Sequence, residues 1–188
     1  MRIFVAAPLA PALRDAVGGV RSRLNSAGSA LRWVAPENLH FTLKFLGEIG
    51  EAGARRVADA ARRVAEGTMR FEIVLAGLGA FPSPRRPQVV WVGVGEGADC
   101  LIALARDLDR ALHRLRFPLE HRPFQPHLTV ARLRRTGPVP DLSSPVHDFE
   151  RTVLGAQTVD ALLVMESTLH PSGATYRPVE TIRLSEAS

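Results

Sequence analysis

Two periodicities alternate along this 188-residue chain. Short runs rich in β-branched and aromatic residues predict strands, and longer stretches with apolar positions three and four apart predict helices. Arg2 to Ala7 opens as a strand. From Ala10 to about Ser26, Leu13, Val17, Val20 and Leu24 recur at helical spacing, with Pro11 in the first turn, where a missing N–H costs nothing. Leu31 to Val34 reads as a short strand, and Pro36-Glu37-Asn38 turns the chain into another that carries His40. Glu51 to Glu66 is a helix with Val57, Ala61 and Val64 inward and Arg55-Arg56 and Arg62-Arg63 on a solvated face. Phe71 to Leu78 and Gln88 to Val94 are strands. The proline-rich Phe81 to Pro87 between them is expected to be a crossover between lobes or a mobile rim of a cleft.

Leu101, Leu104, Ala105, Leu108 and Leu112 mark a third helix over Ala98 to Leu115. A strand carrying His127 follows Pro123, then a loop over Gly137 to Pro145. Strands near Val159 to Leu169 and Thr175 to Leu184, joined by the turn-forming His170-Pro171-Ser172-Gly173-Ala174, close the chain. Strands and helices without strict βαβ alternation indicate an α+β fold of mostly antiparallel sheet. Two similar lobes with flanking helices around a central cleft are expected, forming a single bilobal domain over 1–188.

One short pattern occurs twice. Asn38-Leu39-His40-Phe41-Thr42-Leu43 is echoed by Gln125-Pro126-His127-Leu128-Thr129-Val130. On a strand, side chains two apart share a face, so His40 and Thr42 point together, as do His127 and Thr129. With six His and nine Thr in the chain, fewer than one His-x-Thr is expected by chance. Two copies in apolar settings, nearly half the chain apart, point to an internal duplication. Two imidazoles and two hydroxyls brought to one cleft make a metal-free acid/base pair with phosphate-binding donors beside it. Under strict alternation Lys44 shares the His40 face, while Phe45 and Arg132 fall on the faces opposite their histidines. Arg132 then needs a bulge to reach the cleft.

Composition narrows the class. Hydrophobic residues at 46% and charged residues at 23% fit a folded soluble protein, and no apolar run approaches the ~20 residues that span a bilayer. The apolar start is too short for a signal peptide, so a cytoplasmic enzyme is expected. The single Cys100 allows no internal disulfide and packs as a small hydrophobe behind Asp99, the expected helix N-cap. The net charge is +5, and Lys44 is the only lysine among 24 basic residues. Arginine forks suit phosphate, which leans weakly toward a polyanionic partner. There is no Gly-rich phosphate loop and no Cys/His cluster, so no cofactor and no metal are expected. His113, His121, His147 and His170 read as surface residues.

With these residues in place, the chain resembles the two-histidine (2H) phosphoesterase superfamily, in its RNA 2′,3′-cyclic phosphodiesterase (2′-5′ RNA ligase-like) branch. Arg32-Trp33-Val34 through Lys44-Phe45-Leu46-Gly47 looks like the first signature, and Arg122-Pro123-Phe124 through Ala131-Arg132 like the second. Gly79-Ala80-Phe81-Pro82 and Met165-Glu166-Ser167-Thr168-Leu169 are similar to further segments of that branch. The resemblance implies a bilobal, pseudo-twofold fold with the two His-x-Thr strands facing each other. It implies RNA ending in a 2′,3′-cyclic phosphate as substrate, opened to a 2′-phosphate, and reversible 2′-5′ joining of RNA ends. It also implies that His127 activates water while His40 protonates the leaving 3′ oxygen. Arg132 matches a phosphate-neutralising position and Phe45 a base-stacking one.

Histidine suits both proton transfers because its ordinary pKa near 6.5 keeps acid and base forms accessible. Thr42 and Thr129 offer hydroxyl donors to the non-bridging oxygens. Two other readings stay open: a phosphodiesterase for a small nucleotide, such as an ADP-ribose cyclic phosphate or a 2′-5′ oligoadenylate, and a non-catalytic binder of RNA ends. A monomer is expected.

Overall fold

A computed structural model describes residues 1–24, 30–170 and 173–186. In chain order the elements are β1 (Arg2–Pro8), α1 (Arg14–Arg23), β2 (Leu31–Trp33), β3 (His40–Glu48), α2 (Glu51–Glu66), β4 (Phe71–Ser83) and β5 (Arg86–Val94). They continue with α3 (Ala98–His113), β6 (His127–Leu133), α4 (Ser143–Asp148), β7 (Val153–Val159), β8 (Ala161–His170) and β9 (Gly173–Arg183). Single 3-10 turns at Pro11–Leu13 and Pro36–Asn38 lead into α1 and β3.

The strands form two sheets, ordered β3-β1-β8-β9 and β2-β6-β5-β4-β7, and every pairing within them is antiparallel. The two sheets repeat one scheme. A histidine strand (β3 or β6) pairs with a strand that leads into a helix (β1 or β5), followed by two more (β8-β9 or β4-β7). β2 adds a fifth strand beside β6. The halves are interlaced, since β2 and β4 come from the first half but lie in the second sheet, while β8 and β9 complete the first. The expected α+β, pseudo-symmetric arrangement is therefore what the chain adopts.

One continuous core lies between the sheets and their helices. Ile3, Val5 and Phe41 of the first sheet, Val90, Val92 and Leu128 of the second, Val57 and Ala61 of α2, and Leu101, Leu104, Leu108 and Leu112 of α3 are all buried. The helical spacing read from the sequence is thus the spacing of the buried face, with Val64 half-buried at its margin. The two histidine strands β3 and β6 touch each other across the two sheets. Gln157 of β7 ties the two sheets at this point: its Oε1 accepts from the Ala10 N–H at 2.8 Å and its Nε2 donates to the Pro8 carbonyl at 2.9 Å. Pro8 is the residue paired with His40.

Several elements differ from expectation. The first helix starts at Arg14 after a 3-10 turn, and its expected end at Ser26 lies outside the described residues. Phe81 to Pro87 is not a crossover between lobes. β4 runs to Ser83 and β5 starts at Arg86, so the segment is a hairpin tip, with Pro82 opposite Pro87 one pair before the ladder ends at Ser83 and Arg86. Gly97 rather than Asp99 caps α3. The segment after β6 holds α4, and β7 was not read at all; it carries Gly155 and is separated from β8 only by Asp160, so neither alternation nor a turn signal marks it. No described helix is long and apolar enough to cross a membrane.

Candidate active site

His40 and His127 are held by the same local device. Each opens its strand after a proline-containing turn, and each Nδ1 lies 2.8 Å from the carbonyl two residues earlier, that of Asn38 or Gln125. A carbonyl only accepts, so Nδ1 carries the hydrogen and Nε2 of the neutral ring is left with its lone pair outward. Both imidazoles are thereby set in the tautomer that takes a proton at Nε2.

Each ring also has an aromatic frame that the sequence reading did not anticipate. Phe4 lies 4.9 Å from His40 and Tyr176 meets it edge-on at 5.1 Å. Phe81 meets His127 edge-on at 5.1 Å, with Trp91 at 6.3 Å. Such contacts fix ring orientation and contribute about 0.5–1.5 kcal/mol each. Trp91 fits there because Gly79, in the register position directly across from it, has no side chain; a Cβ at Gly79 would fall inside the indole. That gives a physical reason for a glycine in the Gly79-Ala80-Phe81-Pro82 segment.

Strict alternation fails in both histidine strands at equivalent places. Val5 pairs with Lys44 and Ala6 with Thr42, so Leu43 is an extra residue in β3; Val90 pairs with Ala131 and Trp91 with Thr129, so Val130 is extra in β6. Each bulge turns the chain after it by one residue. Leu43 and Lys44 are both buried, as are Val130 and Ala131. The next residues, Phe45 and Arg132, emerge on the cleft side. Two expectations, for Phe45 and Lys44, are corrected by this, and the one for Arg132 is met. Phe45 is not on the face opposite His40 but 60% exposed and part of the cleft wall, 5.8 Å from Phe4. Arg132 reaches the cleft by the bulge it needed. Lys44 leaves the His40 face altogether: only 4% exposed, its Nζ donates to Asp109 Oδ1 at 2.6 Å and the Pro118 carbonyl at 2.7 Å, with Glu120 at 3.2 Å. It anchors β3 to α3.

A pocket of about 380 Å³ opens on the His40 side, walled by Phe4, Phe45 and Tyr176. Arg2, Arg32 and Arg132 enter it from three strands, and among the described residues no acidic one lines it. His170, read as a surface residue, stands at the end of β8 on the same wall, 3.2 Å from the Thr175 hydroxyl. Thr42 and Thr129 follow their histidines on the same strand faces, and among the described residues neither hydroxyl has a hydrogen-bond partner in the protein. His127 does not line this pocket but lies close enough that its charge is felt by His40.

Both imidazoles are held below the usual histidine range. Burial is the main cause at each, opposed by the carbonyl on Nδ1, and Arg132 repels a proton from both; at His40 the charge of His127 adds to this. One cation thus acts on both rings. Burial, with Asp99 beside it, raises the Cys100 thiol above the usual range. Among the described residues, no group of three or more His, Cys, Asp or Glu is gathered as metal ligands would be.

The chain was compared with known proteins. The model of the LigT like phosphoesterase family matches it twice, over residues 5–91 and 92–176, one match for each histidine strand. A protein of Methanothermobacter thermautotrophicus named RNA 2′,3′-cyclic phosphodiesterase is 37% identical over 184 residues, 98% of this chain and 99% of its own. One of the same name from Archaeoglobus fulgidus is 36% identical over 178 residues, covering 94% and 97%. Among solved structures, a Thermus thermophilus protein superposes with a TM-score of 0.82 at 28% identity over 98% of both chains. E. coli LigT complexed with 3′-AMP superposes at 0.77 with 26% identity, again over 98% of both.

Proposed function

The chain belongs to the LigT-like phosphoesterase family, and from that premise we propose that it hydrolyses 2′,3′-cyclic phosphates at RNA or nucleotide ends to 2′-phosphates, by acid/base catalysis between His40 and His127. The observation that carries this reading is the matched pair of imidazoles, each with Nδ1 tied to a carbonyl at 2.8 Å and Nε2 left for a proton, at the starts of two touching strands. The relatives named RNA 2′,3′-cyclic phosphodiesterase support the substrate class.

In the proposed cycle neutral His127 takes a proton from water at Nε2 as the water oxygen attacks phosphorus. The bond from phosphorus to the 3′ oxygen breaks on the opposite side, and protonated His40 gives its Nε2 hydrogen to that oxygen. The product carries a 2′-phosphate, and the rings return to their starting states by exchange with solvent. A 5′-hydroxyl in place of water would form a 2′-5′ linkage by the same steps. Two positive rings would repel each other and Arg132, and two neutral rings would contain no acid, so the active form holds one proton between them. The substrate's negative charge restores that proton by offsetting Arg132. Each general acid or base contributes about 10²–10⁴-fold.

Thr42 and Thr129 donate to the non-bridging oxygens as charge builds there, Arg132 neutralises the phosphate, and Phe45 stacks on the base. Neither half holds both histidines, so the working unit is the whole chain, 1–188, acting as a monomer in the cytoplasm without metal or cofactor. The pocket's size, about 380 Å³, also suits a single nucleotide, which favours the small-nucleotide reading as the second choice.

Phosphorus NMR of a nucleoside 2′,3′-cyclic phosphate with the protein and EDTA tests the whole scheme. The cyclic resonance should give way to one 2′-phosphomonoester. No reaction in EDTA, or a 3′-phosphate product, would overturn it.

A further inference from the structure

Arg2, Arg32 and Arg132 bring more positive charge into one pocket than the reacting group needs. A cyclic phosphodiester carries one negative charge, and Arg132 with the histidines and threonines already accounts for it. Arg2 and Arg32 leave a surplus of two. We propose that these two arginines form a second phosphate site, which takes a phosphate 5′ of the reacting nucleoside; it rests on the cyclic-phosphate reading above.

Charge placement is the first argument. Arg32 of β2 lies directly opposite Arg132 of β6 in register, and like charges directly opposite on a sheet destabilise it. Among the described residues, Arg2, Arg32 and Arg132 have no carboxylate partner, and the pocket they share has no acidic lining residue. With Arg132 committed to the reacting phosphate, a second anion at Arg32 and Arg2 offsets the remaining charge, through forks that bind phosphate in two-point fashion.

Reach is the second argument. Arg2 lies six residues along β1 from Pro8, the partner of His40, which is roughly 20 Å of strand at about 3.3 Å per residue. The His40 ring reaches along this strand as far as Phe4, and Arg2 stands two residues further out on the wall of the same pocket. Phe4, two residues on, shares the Arg2 face and touches His40, so wall and cation follow one another outward from the catalytic ring. Ser167, paired with Arg2 on β8, adds a hydroxyl at the same place. A cationic end beyond an aromatic wall matches a nucleotide whose base stacks while its 5′ side leads out through a phosphate.

The second phosphate has two chemical sources: the backbone of an RNA chain or the 5′-phosphate of a mononucleotide. Three substrates separate them: a nucleoside 2′,3′-cyclic phosphate, its 5′-phosphorylated form, and a dinucleotide ending in the cyclic phosphate. The wild-type protein should favour at least one two-phosphate substrate by about tenfold or more in kcat/KM, the size expected of one charge-assisted contact. A gain confined to the dinucleotide assigns the site to RNA backbone, and an equal gain for the 5′-phosphate assigns it to any phosphate there. In R2Q/R32Q, with folding verified by circular dichroism, the preference should fall toward one, whereas R2K/R32K should keep part of it. Turnover of all three substrates at one efficiency, or an unchanged preference in R2Q/R32Q, overturns the second site while leaving the proposed activity intact. Turnover of none sinks both.

Discussion

Phe45 and Arg132 are equivalent residues with unlike chemistry. Each stands five positions after its strand's histidine, and each reaches the cleft because a single extra residue, Leu43 or Val130, interrupts pairing with the neighbouring strand. One half thus offers the cleft an aromatic face where the other offers a guanidinium. In the proposed cycle, substrate would meet a nearly symmetric acid/base pair inside an asymmetric wall, which would give it one orientation. Phe45→Ala should raise KM by about 5- to 100-fold, the loss of a base-stacking contact worth about 1–3 kcal/mol, with kcat little changed. An unchanged KM in steady-state assays would show that no base rests on it.

The depressed histidines set the pH behaviour. Because burial and Arg132 disfavour the second proton, the optimum of kcat/KM should lie below about pH 6.5, while that of kcat lies higher because bound phosphate favours the proton. Arg132→Gln removes the shared repulsion and should move the kcat/KM optimum upward as the rate falls. A downward move would contradict the action of Arg132 on both rings.

Stability follows the same groups with a definite sign. Each native ring binds its proton less readily than in the unfolded chain, so unfolded protein takes up protons first as pH falls. The contribution is intact above about pH 6.5 and is lost progressively below it, down to the native titration range. Urea unfolding of His40→Gln/His127→Gln should show a flatter dependence between neutral and mildly acidic pH than the parent. Parallel curves would argue against it.

Roles of the two rings separate with a leaving group that needs no proton. With a 4-nitrophenyl phosphodiester, the variant lacking the acid, His40→Ala, should keep most of the parent rate, and His127→Ala should lose about 10²–10⁴-fold. The reverse outcome would exchange the roles without removing either residue from the site.

Lys44 makes a prediction of another kind. Removing one member of a buried charged cluster leaves Asp109 uncompensated, so Lys44→Ala should cost about 3–5 kcal/mol in denaturant unfolding. Lys44→Met, which keeps the stem, should cost less. A loss below about 1 kcal/mol would place the Lys44–Asp109 pair among weak surface contacts.

Much of this was legible in the chain itself. The bounds of α2 coincide with its apolar spacing, and both His-x-Thr strands begin where the proline turns predict. What eluded the reading was register. A rule of alternation has no means of seeing one extra residue, so it put Lys44 on the His40 face and Phe45 on the opposite one. The aromatic frames were hidden for a related reason: Phe4, Tyr176, Phe81 and Trp91 come from four strands, and only pairing brings them to the imidazoles. β7, short and broken by Gly155, carries no local signal and exists because β4 has an open edge for it.

The exchange of strands between the two sheets bears on how this molecule can be taken apart. A cut in the chain after β4 would leave an amino-terminal piece with half of one sheet and two strands belonging to the other, and its remainder with the converse deficit. Neither fragment owns a finished layer, so each would be obliged to seek the other before any histidine found its frame.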